Sequence, residues 1–327
     1  MINTRTPFRI TLFGGGTDYP EWYKEFGGKT INACIDKYCY ISIRDLPPFF
    51  NYKWRLRYFI TEEVSSISEI KHPSIKESLK YFNLKDGLEI VHQGDLPSRS
   101  GLGSSSAFTV GMVNAISGFQ GKVITKRNLA LTSINIEQNK IGEAVGSQDQ
   151  VAAAYGGFNY TEFSKENEFS VTPISLDNKN LEKLQSHLLL CFTGLTRNAA
   201  EIAATQIEFT KSKKIDLKDV MAICDEGYKC LSQNYYYIAE IGRLLDEQWK
   251  IKKNLTKLIS NSRIDEIYEI GKLNGAMGGK LLGAGGGGFM LFIADPKYHL
   301  EIKRALSEKM FVPFKFDFDG SKIIYQS

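Results

Sequence analysis

The sequence predicts an α+β protein of two domains, and three observations lead there. The chain has 327 residues, and domains average roughly 150. Short apolar or alternating runs of strand length interleave with stretches of helical spacing, and their connections suit antiparallel neighbours. A polar stretch, Ser164–Lys183, contains Pro173 and several Asn and Asp, so a boundary is expected near residue 180, giving units 1–180 and 181–327.

The elements follow in order. Phe8–Phe13 is apolar and runs into Gly14–Gly16, so it reads as a first strand closed by a glycine turn. Tyr38–Arg44 alternates as a half-buried strand does; Leu56–Ile60 and Leu88–His92 also read as strands. From Ser104 to Phe119, the residues Phe108, Val110, Met112, Val113 and Ile116 recur at near-helical spacing. Three serines stand in front of them, where N-capping residues belong. Asn128–Ile141 is a further expected helix, Leu188–Phe192 a buried strand, and Asp216–Gln248 largely helical. Phe289–Ile293 reads as a strand, Pro296–Met310 as a helix, and Val312–Phe318 as a late alternating strand.

Composition narrows the function. Hydrophobic residues make up 43% and charged residues 24%, which excludes a disordered or collagen-like chain. The longest apolar runs, Leu188–Phe192 and Phe289–Ala294, fall far short of the ~18 residues that span a bilayer, so no membrane role is expected. Arg5 and Arg9 without a signal-length apolar stretch argue against a secretory leader. Five cysteines with no C-x-x-C pair fit a reducing, cytoplasmic setting better than a disulfide framework or zinc ribbon. The formal charge of +4 suits small anionic ligands and is too weak to argue for nucleic acid.

The most informative segment is Leu96–Ala107, LPSRSGLGSSSA. Gly101 and Gly103 let the chain bend tightly and bring amides close to a ligand. The serines then fall in the first helical turn, where unpaired N–H groups and the positive dipole end favour an anion. Their hydroxyls can bind phosphate oxygens or Mg²⁺; a plain capped helix remains the alternative. No Gly-Lys-Ser/Thr follows, so this is not a Walker A loop. A G-x-G-x-x-G pattern at Gly283–Gly288 precedes a strand instead of opening a helix, so the dinucleotide context fails. Two acids stand out downstream: Glu137 in a helix-like segment, and Asp149 among small and amide residues in GSQDQVAAAYGG. Either is compatible with a surface role, although the surroundings of Asp149 suit a confined carboxylate.

Leu96–Ala107 resembles the central motif of the GHMP kinases, and RTPFRITLFGGGTDYP (Arg5–Pro20) and KLLGAGGGGFMLF (Lys280–Phe292) are similar to that family's other two motifs, in the same order. The resemblance spans most of the chain. It implies a first α/β domain with a left-handed βαβ crossover, against the usual right-handed rule, and a ferredoxin-like second domain. It implies an ATP-dependent sugar kinase that uses Mg²⁺, with its site between the domains. ATP would lie on Pro97, Ser100, Gly101, Leu102, Gly103, Ser104, Ser105 and Ser106. Mg²⁺ would be held by Ser105 and Glu137, and Asp149 would act on the acceptor hydroxyl beside Arg9. Asp18 would bind sugar hydroxyls, and the C-terminal glycine loop would pack on the serine loop.

Galactokinases carry Gly-Glu-His before Thr-Asp-Tyr, whereas this chain has Gly14, Gly15 and Gly16. GGGTDYP is instead similar to the D-glycero-D-manno-heptose 7-phosphate kinase branch, as are GLGSSSAFTVGMVNAI and FTGLTRNAAEI (Phe192–Ile202). That likeness implies phosphorylation of the anomeric hydroxyl of the heptose 7-phosphate to a 1,7-bisphosphate. Gly15, Gly16, Thr17 and Asp18 would shape the sugar pocket, and Arg197 and Arg99 are candidates for the distal phosphate. A galactokinase- or fucokinase-like enzyme is the alternative; an inactive sugar and ATP sensor on the same scaffold is the alternative from another class.

Other residues read as structural. The four histidines are scattered and expected in packing or surface roles. Phe49, Phe50, Tyr52, Trp54 and Tyr58 suit a hairpin with one packed face, or a surface for stacking on a base. Tyr235–Tyr237 is expected in helix packing, and the lysines of KSKK (Lys211–Lys214) and WKIKKN (Trp249–Asn254) at solvated helix ends.

Overall fold

The computed structural model describes residues 1–166, 168–195, 199–210, 212–232 and 238–327. Its first sheet is built from β1 (Ile2–Phe13), β2 (Gly28–Asp45), β3 (Trp54–Arg57), β4 (Thr61–Val64), β5 (Leu88–Gly94), β6 (Phe158–Phe163) and β7 (Phe169–Pro173). A second sheet holds β8 (Leu188–Phe192), β9 (Ala276–Leu281), β10 (Phe289–Ala294) and β11 (Met310–Phe311). The last strand, β12 (Lys322–Gln326), returns to the first sheet and pairs with β1. The helices are α1 (Pro20–Phe26), α2 (Pro73–Tyr81), α3 (Ser104–Phe119), α4 (Lys126–Asn135), α5 (Gln148–Tyr155), α6 (Asn178–His187), α7 (Ala199–Phe209), α8 (Lys214–Ser232), α9 (Ile238–Lys253), α10 (Ser262–Leu273) and α11 (His299–Ala305).

The first sheet runs β12-β1-β2-β5-β3-β4, with β6 joined to β2 and β7 to β6. Its pairs are antiparallel except β3 with β5. α3 lies on β1 and β2, with α2, α4 and α5 packed against it. Every residue from Ser106 to Gly118 is buried, because the helix is apolar or small on all sides and is covered on all sides. The second sheet runs β11-β8-β10-β9 in a β-α-β-β-α-β sequence, the ferredoxin-like order the resemblance implied. β10 is buried along its whole length, as a central strand with both faces covered must be. No helix among the described residues is long and apolar enough to cross a membrane.

Several expected elements take a different form. Val312–Phe318 is not a strand: it makes one isolated bridge to the first sheet, Ile35 to Phe316, and otherwise meets it through side chains, Phe316 stacking on Phe158 and Tyr38 Oη donating to Asp317. Its alternation reflects Phe314 and Phe316 packing on the core from one side. Pro296–Met310 is broken into a 3₁₀ turn, the short α11 and the start of β11. Leu56–Ile60 shifts back to Trp54–Arg57, since the following residues turn toward β4. Asn128–Ile141 starts two residues earlier, at Lys126, where Thr125 caps the helix through Asn128 N at 3.2 Å. It then widens into π-type turns over Ile136–Ile141, the stretch that carries Glu137. Asp216–Gln248 contains most of α8 and most of α9, and Tyr235–Tyr237 lies outside the described residues.

Candidate active site

A cleft of about 560 Å³ opens between the two sheets' layers. β1 supplies Arg9 to its floor, and α5 supplies Asp149 from its first turn. Arg9 is almost wholly buried and grips Asp149 with two hydrogen bonds, Nε to Oδ1 at 2.7 Å and Nη2 to Oδ2 at 2.8 Å. Its third nitrogen donates to Gly101 O at 2.6 Å, and its backbone N–H donates to Leu102 O at 3.0 Å. One residue thus ties the first strand, the serine loop and α5 together. Such planar, two-pronged pairs are the strongest geometry available to guanidinium and carboxylate.

Gly103 precedes α3 with φ +73°, a left-handed turn that suits glycine. A side chain there would sit 3.3 Å from Asp149 Oδ2 and 3.3 Å from Arg9 Cγ. The start of α3, with its free amides, is therefore packed against the carboxylate. The C-terminal glycine loop closes the other side. Phe289 N donates to Ser100 O at 3.1 Å, and a Cβ on Gly283 would lie 2.5 Å from Gly101 Cα. Backbones this close leave no room for side chains, which accounts for the glycine run.

Asp18, in the loop after β1, is buried on the same cleft. It accepts from Gly16 N (3.0 Å), Gln148 N (3.2 Å) and Gln148 Nε2 (3.0 Å). Burial, and then the charge of Asp149, raises its pKa above the ordinary carboxylate value, while the backbone bonds pull it back.

Glu137 lies beneath the serine turn and is fully buried. Its Oε2 accepts from Ser106 Oγ at 2.9 Å and from Gln150 Nε2. The Thr109 hydroxyl beside it donates instead to Ser105 O at 3.4 Å, so Glu137 Oε1 has no hydrogen bond. Burial pushes its pKa up to about 7, against the pull of the hydrogen bonds from Gln150 and Ser106. A buried carboxylate with one free oxygen beside a serine hydroxyl is the donor chemistry a hard divalent cation takes. The residues present fit Mg²⁺.

Of the residues read from the sequence, Gly101, Gly103, Ser104, Ser105 and Ser106 line the cleft with Gly15, Gly16, Asp18, Arg9, Asp149 and Arg99. The remaining ones are placed elsewhere. Ser100 and Leu102 turn into the interior, where their carbonyls hold Phe289 and Arg9; Pro97 is exposed beside the cleft without lining it. Thr17 is buried and spends its hydroxyl on Gly14 O and Lys29 O, so it shapes the loop and not the pocket. The serine that touches Glu137 is Ser106, and Ser105 is exposed on the cleft. Gly14 is needed by packing, since a Cβ there would fall 1.9 Å from Lys29 O. Arg99 is exposed at the rim, and Arg197 lies outside the described residues.

Several residues line the cleft without a signal in the sequence, and His72, His92, Lys252 and Lys280 bear on its chemistry. His72 and His92 form an aromatic wall with Phe108 and Tyr58: His72 stacks on Phe108 with centroids 4.5 Å apart, and His92 meets the same ring edge-on at 5.0 Å. Of the aromatic segment, Tyr58 and Phe59 reach the cleft while Trp54 is buried in the core. Lys252 and Lys280 are also buried on the cleft, so Lys252 is not the solvated helix end that its sequence suggests. No periodicity signals a lysine that turns inward from the last turn of a helix. Among the described residues there is no His, Cys, Asp and Glu cluster that would bind a transition metal, and the five cysteines are free.

The chain matches the family of GHMP kinases N terminal domains over residues 71–157 and that of GHMP kinases C terminal domains over residues 237–312. It is 32% identical to the D-glycero-alpha-D-manno-heptose 7-phosphate kinase of Campylobacter jejuni, covering 98% of each chain. It is 25% identical to the bifunctional fucokinase/GDP-fucose pyrophosphorylase of Arabidopsis thaliana, over 92% of this chain and 31% of that longer protein. The crystal structure of a D-glycero-D-manno-heptose 1-phosphate kinase from Bacteroides thetaiotaomicron superposes with a TM-score of 0.75 at 25% identity, covering 100% of both chains.

Proposed function

The chain belongs to the GHMP kinase family and is an ATP-dependent sugar kinase, and from that premise we propose that its acceptor is a heptose phosphate, phosphorylated at the anomeric hydroxyl of D-glycero-D-manno-heptose 7-phosphate. The observation that carries the catalytic assignment is the contact of the Gly103 turn with Asp149, which brings an anion-binding helix start beside a carboxylate.

In this reading the ATP phosphates rest on the amides and hydroxyls of Gly101–Ser106. The aromatic wall of Tyr58, His72, His92 and Phe108 is the flat apolar surface that receives the base. His72 suits that role because burial, and then the neighbouring His92, lowers its pKa to about 4, so the ring stays neutral. Glu137 and the serine turn would hold Mg²⁺, which when bound spreads the charge of the transferring phosphoryl group. Asp18 places sugar hydroxyls. Asp149 accepts the proton of the attacking hydroxyl: each of its oxygens is held by Arg9, yet keeps a second lone pair. Arg9 fixes that carboxylate and offers positive charge to the alkoxide that develops.

The test is a kinase assay with heptose 7-phosphate beside galactose, fucose and mannose. The expected result is a kcat/KM for the heptose phosphate well above every plain hexose. Equal or better turnover of an unphosphorylated hexose would overturn the substrate assignment and leave a galactokinase- or fucokinase-like enzyme.

A further inference from the structure

We propose that Lys252 and Lys280 form the receptor for the phosphate already carried by the acceptor, and so set the enzyme's preference for phosphorylated sugars; this rests on the acceptor reading above. Both side chains come from the second sheet's layer, Lys252 from the last turn of α9 and Lys280 from β9. They are 5% and 1% exposed, and both line the cleft. Lys252 Nζ donates to Gly283 O at 2.5 Å and weakly to Leu281 O at 3.4 Å; Lys280 Nζ donates to Leu12 O at 3.1 Å. Each ammonium has three N–H donors, so part of each is unspent. Neither forms an ion pair among the described residues.

The charges nearby do not cancel them. Arg9 and Asp149 satisfy each other, and Asp18 is occupied by three N–H donors. Two buried ammonium groups without an ion-pair partner are costly: burial and then Arg9 lower the pKa of Lys252 to about 8 against the pull of Asp18 and Asp149, and burial and then Lys252 hold Lys280 well below the ordinary lysine value. A phosphate monoester dianion in the cleft removes that cost.

Position decides which phosphate. The nucleotide's phosphates have the start of α3. Lys280 is anchored on Leu12 O, just before the loop that carries Gly15, Gly16 and Asp18, and Lys252 lies within the electrostatic reach of Asp18 and Asp149. Both therefore stand at the acceptor end. Arg99, a candidate for the distal phosphate by sequence, is exposed at the rim and lacks that burial.

The experiment compares heptose 7-phosphate with the same heptose lacking the phosphate, in wild type, Lys252→Met, Lys280→Met and the charge-retaining Lys252→Arg. Each Met variant should lower the kcat/KM ratio of phosphorylated to unphosphorylated sugar by about 10–100-fold, through KM of the phosphorylated sugar and with the KM for ATP unchanged. Lys252→Arg should retain more of the preference. Inorganic phosphate should inhibit wild type competitively against the acceptor, a readout that needs no variant to fold. A raised KM for ATP, an equal kcat loss on both sugars, or phosphate that does not compete with the acceptor overturns the proposal. A wild-type preference that survives both Met substitutions overturns it alone. A wild type with no preference overturns the acceptor reading and this one with it.

Discussion

The guanidinium of Arg9 holds both carboxylate oxygens of Asp149, at 2.7 and 2.8 Å, across a separation of 140 residues in sequence. Asp149 remains about a quarter exposed on the cleft, while Arg9 is nearly sealed. The pair is thus anchored from below and open to a substrate from above. Asp149→Asn keeps the shape and removes the negative charge. Turnover should fall by roughly 10²–10⁴-fold while ATP binding survives, as seen by steady-state kinetics beside calorimetry with a nucleotide. Undiminished turnover would take Asp149 out of the mechanism.

The free Oε1 of Glu137 and its bond to Ser106 lead to a prediction about Mg²⁺. Glu137→Gln should raise the Mg²⁺ concentration needed for half-maximal activity by on the order of tenfold or more, since a neutral amide is a poor ligand for a hard cation. Ser106→Ala and Ser105→Ala, titrated the same way, compare the serine that touches Glu137 with the exposed one. A Mg²⁺ requirement unmoved by Glu137→Gln would exclude this carboxylate as a ligand.

Gly283 and Gly101 are in backbone contact, and both have positive φ, +70° and +82°. Gly283→Ala must separate the two loops. The expected cost is about 1–3 kcal/mol in urea unfolding, with a higher KM for ATP because the serine turn loses its backing. An unchanged urea midpoint and KM would show that the loops do not depend on this contact.

His72 offers a pH signature. Its folded pKa, about 4, lies below the unfolded value of 6.5, so the unfolded chain binds the extra proton between these values. Stability should therefore be full above pH 6.5 and decline as pH falls toward 4, by at most about 3 kcal/mol from this residue. His92 is shifted in the same direction by burial. His72→Asn keeps a helix-capping side chain before α2 and removes the titration. Urea unfolding at pH 4.5 and pH 7 should then differ less than in wild type; an identical difference would place the acid sensitivity elsewhere.

Much of the candidate site was legible along the chain because its signals are short-range. Glycines at 101 and 103 followed by serines announce a tight turn into a helix, and α3 begins and ends where the spacing said. The strands Leu188–Phe192 and Phe289–Ala294 were likewise written in local apolar runs. Val312–Phe318 misled because alternation marks a side that packs, and a segment can pack that way without a ladder. Thr17 and Leu102 sat inside motifs whose neighbours face the cleft, and position within a motif does not say which way a side chain turns.

The sequence alone settled the order of the three motifs and the nature of the helix start, since backbone conformation at glycine and capping at serine depend on adjacent residues. Only tertiary structure decided that Glu137 meets Ser106, that Lys252 and Lys280 are buried together, and that the last strand completes the first sheet. Those outcomes depend on which distant surfaces pack, and a lysine near a helix end has the same letters around it whether its ammonium finds water or a cleft.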